Sequence, residues 1–358
     1  MKKTLSWLLA AVLCTAPNWL RAQPPPAQPY QVVTQARVGG PGNFDYVFAD
    51  SDGRRLYVPR GNRVTVFDLD TLQPQGEITP TNSVHGVTAD PLTHHGFSSS
   101  RPVVMWDTRT LATLKTIPVA GRPDGILFDP ATERVVVLSH QQPNATVIDA
   151  RDGAIVGTIA DLGGAPEQGA SDGRGHLYID LEDRASVAVV DANTLQVTGH
   201  YGLRGRGGVP AGLALDAKNH LLFIYGRNPA TAVILDAADG AVITSLPIGA
   251  GVDAAEFNPA TMEAFSSQRD GTLTVIKETG LRQFEVEQTV RTKLGAKTST
   301  LDAKTNRILL ITADRAPAPP SPTPVPAGVP PGRGGPMVPG SFTIIVVQRG
   351  SPAPPPRP

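Results

Sequence analysis

Five stretches decide the fold: VFDLDTL (66–72), MWDTRTL (105–111), VIDARDG (147–153), VVDANTL (189–195) and ILDAADG (234–240). Each is a short run of β-branched and aromatic residues that closes on an aspartate and is followed by Thr or Asp-Gly, the chemistry of a hairpin turn. Lys277 and Gln348 occupy the same place in two further copies. A second register runs in parallel. Asp50, Asp90, Asp129, Asp172, Asp216, Asn258 and Asp302 each end an apolar run, and successive markers lie 39 to 44 residues apart. That period and the two agreeing registers predict an all-β chain, a seven-bladed β-propeller of four-stranded antiparallel blades. The aspartates of both registers are read as turn residues rather than ligands.

Between the markers the sequence is rich in Val, Ile, Leu and Thr and punctuated by Gly, Pro, Asn and Asp, with no helical period beyond Ala22. The seventh blade holds only three strands of its own, Lys297 to Leu301, Arg307 to Thr312 and Ser341 to Val347. Its fourth is expected from Gln31 to Val38, so that the two ends of the chain pair in one sheet and no long edge is left open.

Outside the repeat, Lys2 and Lys3 precede an apolar stretch, Leu5 to Leu13, and then Leu20-Arg21-Ala22, the three-part pattern of a secretory signal over residues 1–22. The apolar stretch is too short to span a bilayer, and no other approaches that length, so no transmembrane anchor is expected. Cys14 is the single cysteine and lies in this segment, flanked by Val12 and Leu13 where a lipidation site wants small residues. The expected location is periplasmic or secreted, for a disulfide-free monomer held together by packing and hydrogen bonds. Proline-rich residues 23–29 read as a spacer, 30–350 as the propeller, 316–339 as a disordered insertion in the seventh blade, and 351–358 as a tail. Basic and acidic residues balance at 32 each over the whole chain, and loss of Lys2, Lys3 and Arg21 leaves a slight negative excess. That excess argues against a surface built for nucleic acid.

The second-strand strings YVPR (57), FSSS (97), VLSH (137), YIDL (178), FIYG (223) and FSSQ (265), with the blade spacing, resemble the YVTN-repeat, YncE-like exported bacterial β-propeller proteins over about residues 30 to 350. None repeats the Tyr-Val-Thr-Asn string unchanged, so blade pattern and spacing carry the resemblance. It implies an exported seven-bladed propeller and little about chemistry, because function resides in sites grafted on a fold. The blades also look like those of quinoprotein dehydrogenases. The docking tryptophan of that repeat is missing from GAIVGTI (153–159) and GAVITSL (240–246), and Trp106 is the one tryptophan beyond residue 22.

Chemistry is expected at the channel mouth. Five residues before each first-strand marker stand Asp45, His85, Asp124, Glu167, Ala211, Asp253 and Lys297, so six of seven blades aim an ionisable side chain at one opening. Converging carboxylates repel one another and raise some of their pKa values unless a cation neutralises them, a task open to Lys297. Oxygen-rich convergence suits a divalent cation such as calcium, and one histidine among carboxylates suits a transition metal equally. A water-filled polar channel is the plain alternative. Loops on the same face carry Arg60, Arg63, Arg101, His140, Arg184, Arg227 and Arg269, and the loops leading into the blades add Arg122, Arg204 and Arg206. Guanidinium matches carboxylate and phosphate, which makes these arginines candidates for anion binding.

Three function classes stay open on this reading. One is an exported binding or interaction scaffold of the cell envelope, taking a small polar ligand or an envelope protein. The second is a metal-dependent, lactonase-like hydrolase, whose metal-activated water needs no serine or cysteine nucleophile. The third, and weakest, is nucleic-acid or anionic-ligand binding through the arginines. The GxSxG string at Gly169–Gly173 is set aside, because a strand and not a helix is expected after it. No CxxC, HExxH, P-loop or GxGxxG occurs beyond Ala22.

Overall fold

The computed structural model describes residues 28–317 and 335–350. The expected signal segment 1–22, most of the expected spacer 23–29, the middle of the proline-rich insertion and the tail 351–358 lie outside the described residues. Within them the chain forms seven four-stranded antiparallel sheets and no helix, a seven-bladed propeller. The innermost strands are Phe48–Asp50, Val87–Asp90, Pro123–Asp129, Pro166–Ser171, Val209–Asp216, Val252–Asn258 and Thr298–Asp302. Each approaches its neighbour and the last returns to the first, closing a ring around a central channel.

Both aspartate registers act as the turn chemistry requires. Asp68 Oδ1 accepts from the Asp70 and Thr71 amides and the Thr71 hydroxyl, and Asp107, Asp149, Asp191 and Asp236 accept amides at the same offset. Four residues beyond each capping aspartate the backbone swings to positive φ, at Leu72, Leu111, Gly153, Leu195 and Gly240. Glycine takes that conformation freely, which accounts for the Asp-Gly ending in two of the five stretches. The first-strand markers cap their turns likewise, from Asp50 on the Gly53 amide to Asp302 on Lys304 and Thr305.

Every outermost strand carries one extra residue, at the same register in all seven blades: Gln75, Leu114, Val156, Thr198, Ile243, Glu287 and Val33. A bulge twists the strand and disrupts the ladder, which blunts seven outer edges that would otherwise template aggregation. Three of these extra residues, Leu114, Val156 and Val33, are exposed.

Closure follows the expected route. Strand Tyr30–Arg37 pairs antiparallel with Thr343–Arg349, from Tyr30 opposite Arg349 to Arg37 opposite Thr343, and completes the seventh blade from outside. Tyr30 ties this seam to the sixth blade. Its backbone exchanges two hydrogen bonds with the Gln288 side chain, each 2.8 Å, and its hydroxyl donates to buried Glu263 at 2.7 Å. Arg349 reaches both Glu263 and Glu287.

The core lies between blades. One cluster joins Leu56, Val58 and Phe67 of the first blade to Leu309, Ile311, Phe342 and Ile344 of the seventh. Each such fully buried aliphatic or aromatic side chain contributes about 1.5–3 kcal/mol. The described ends of the insertion form an ordered stem, with the Ala316 amide bonded to Pro336 O, the Gly335 amide to Ala316 O and the Val338 amide to Asp314 O. Met337 packs against the seventh-blade core.

Candidate functional site

The inner strands position the mouth. Asp124 and Glu167 are the second residues of their inner strands and Asp45 and His85 stand three and two residues ahead of theirs; the next residues, Tyr46, Gly86, Gly125 and Gln168, line a channel cavity of about 470 Å³. Gly125 lets neighbouring blades draw together there: a Cβ on it would stand 2.3 Å from the Glu167 carbonyl oxygen. The Tyr46 amide donates to His85 O, and the Thr298 hydroxyl to Asp45 O, which fixes the first blade between its two neighbours.

Above the cavity the side chains close a ring of eight in which acid and base alternate. Asp45 Oδ2 lies 2.8 Å from His85 Nδ1, which lies 3.4 Å from Asp124 Oδ1. Asp124 Oδ2 lies 3.3 Å from His140 Nε2, which lies 3.1 Å from Glu167 Oε2. Glu167 Oε1 is 3.9 Å from Arg227 Nη2. Arg227 and Lys297 both grip Asp253, and Lys297 Nζ returns to Asp45 Oδ1 at 3.1 Å. All seven blades contribute. Asp124, Glu167 and Asp253 are buried, while the other ring members keep partial contact with solvent.

The structure thus brings together Asp45, His85, Asp124, Glu167, Asp253 and Lys297, and it adds two residues that the inner-strand register does not contain. Ala211, the fifth blade's occupant, is buried and chemically silent; Arg227, at the end of the second strand of that blade, takes its place and is aimed by its Nε bond to Val252 O at 2.7 Å. His140 follows the second strand of the third blade. The signal for both is a second register. His140, Glu182, Arg227 and Arg269 follow the residues paired with Pro123, Pro166, Pro210 and Val252 near the start of the inner strands.

The other arginines do not converge. Arg60 is buried, stacks 3.8 Å over the Phe342 ring and donates to the carbonyls of Gly39, Gly40 and Gly42, so it holds the segment after the closing strand. Arg63 faces Glu77 at 3.6 Å, Arg184 is exposed beside Asp183 and Gly163, and Arg101 is exposed. The Arg269 amide bonds Gly251 O. Arg60, Arg63 and Arg184 thus go to separate partners.

Electrostatics divide the ring. Burial, then the nearby Glu167 charge, pushes the Asp124 carboxyl up to about 6. The hydrogen bond to Asp45 raises His85, and the one to Glu167 raises His140, in each case against burial. Two carboxyls outside the ring shift further. Burial lifts Asp180, whose Oδ1 accepts the Gln168 amide, to about 8. Burial alone lifts Glu256, on the channel wall with Ser299, Thr300 and Gln168, to about 8.

No family model matches the chain, and no curated protein sequence does. Among solved structures, a chain in the crystal structure of a mitotic checkpoint complex superposes with a TM-score of 0.66 at 15% identity, over 86% of this chain and 95% of that one. The likeness is one of fold, and it places the protein among seven-bladed β-propellers. No helix of the described residues is long and apolar enough to cross a membrane.

Proposed function

We propose that this protein is an exported, monomeric binding scaffold of the cell envelope, a propeller of the YVTN-repeat type that takes a small polar ligand at the channel mouth. The closed ring of alternating charges over the channel cavity carries the reading. A ligand bearing both signs, an amino group beside a carboxylate, can replace ring contacts on each side without leaving a buried charge alone. The YVTN-like spacing and the secretory pattern of residues 1–22 support the exported class. The solved chain of similar fold belongs to a complex, the mitotic checkpoint complex.

The test is a thermal-shift panel of amino acids, amino sugars and sugar acids, run with chelator present, on the parent and on Lys297→Met. A ligand that binds only the native state raises the melting temperature by mass action. The expected result is stabilisation of the parent by a zwitterionic member and loss of that response in the variant. A response that survives Lys297→Met unchanged, or a panel with no response, overturns the reading.

A further inference from the structure

We propose that the histidine half of the mouth holds a pair of divalent transition-metal ions, one between Asp45, His85 and Asp124 and the other between Asp124, His140 and Glu167, bridged by the Asp124 carboxylate. The inference rests on the mouth being a binding site and names what this half of it takes.

Four geometric observations support it. Within each triad one oxygen or nitrogen of every residue lies within 4.8 Å of the others. The nitrogen-to-oxygen separations are 2.8 and 3.4 Å in the first triad and 3.3 and 3.1 Å in the second. Donors held by one ion at bond lengths of about 2.0–2.2 Å stand roughly 3.0–3.5 Å apart, so the side chains need only small adjustments. Asp124 turns Oδ1 to one histidine and Oδ2 to the other, the disposition of a bridging carboxylate.

Finally, each outer carboxylate has its second oxygen fixed from behind. Lys297 Nζ holds Asp45 Oδ1 at 3.1 Å, and the Tyr46 hydroxyl donates to Glu167 Oε1 at 2.9 Å. Outer partners of this kind orient first ligands in metal centres. One imidazole and two carboxylates per ion suit zinc, manganese or iron(II), whereas calcium seeks about six to eight oxygens. Three protein ligands leave positions open on each ion.

The experiment uses the untagged full chain, stripped with chelator and dialysed, titrated with Zn²⁺, Mn²⁺ and Ca²⁺ by calorimetry and followed by elemental analysis. Two zinc or manganese ions per chain are expected, with calcium at least about tenfold weaker. His85→Gln and His140→Gln should each leave one ion, and Asp124→Asn should weaken both sites by about tenfold or more. Circular dichroism confirms that each variant is folded, and the count on the parent stands whatever the variants do. A parent that binds no ion or one ion, or a His85→Gln/His140→Gln double variant that still binds two, overturns the pair. An ion-free parent that still responds to the small-molecule panel overturns the metal pair alone; two ions without any panel response overturn the small-ligand reading alone.

Discussion

The ring's two halves look alike in contact pattern and differ in what their bases can do. In one half Asp253 sits between a guanidinium and an ammonium, Arg227 and Lys297. In the other, Asp124 sits between His85 and His140, bases that can shed a proton. Burial, then the nearby Glu167 charge, raises the Asp124 carboxyl to about 6, against the lowering pull of both histidines. The difference teaches that contact pattern alone does not fix what a converging carboxylate does: how far burial raises it depends on the charges left to offset it. Glu256, in the same channel but with burial as its only influence, marks the far end of that scale.

The largest effect should come from Asp253→Asn. Removing this carboxylate leaves a guanidinium and an ammonium facing each other in a buried site, and breaking a buried pair costs about 3–5 kcal/mol. The denaturant midpoint should fall accordingly at unchanged slope. A loss under about 1 kcal/mol would show that the two halves are equivalent.

Glu256→Gln should act in the opposite direction, and only at higher pH. The folded carboxyl titrates at about 8 against 4.5 for the ordinary group. From pH 4.5 upward the unfolded chain releases this proton and the folded one keeps it, so native stability falls as pH rises toward 8. The amide removes that slope. The variant should match the parent below pH 4.5 and exceed it by about 1–3 kcal/mol at pH 8, below the full linkage value because channel water solvates the carboxylate. Parallel stability curves across this window would place Glu256 in an ordinary aqueous setting.

Asp124→Asn, tested metal-free at neutral pH, should cost about 1 kcal/mol or less, because His85 and His140 can release protons once their partner is neutral. A loss as large as that of Asp253→Asn would erase the difference between the halves. The smallest effect is expected at the half-exposed Arg63–Glu77 pair, where Glu77→Gln should change stability by less than about 0.5 kcal/mol.

The blades were legible in the chain because their signals are local. Asp68 and Thr71 meet within one turn, as do Asp302 and Thr305, and hydrogen bonds spanning two to four residues recur wherever the composition recurs. Bulges at Gln75, Leu114 and Val156 were not legible, since an extra residue shows only when two strands are laid side by side. Six ring residues could be read from their shared distance to the first-strand marker. Their signs of interaction could not, and neither could the arginine loops' failure to converge: Arg60 turns inward to Phe342 because the segment after the closing strand offers it three carbonyls.

By itself, then, the sequence determined that the chain alternates short strands with capped turns, how many blades it makes, and which inner-strand positions face one another, all consequences of a period written in nearest neighbours. Only the tertiary structure decided that Arg227 replaces Ala211, that His140 enters between Asp124 and Glu167, and that Glu256 is left with no counter-charge. Those outcomes depend on pairs as distant in sequence as Asp45 and Lys297, whose approach within 3.1 Å follows from seven blades closing into a ring and from no stretch of chain alone.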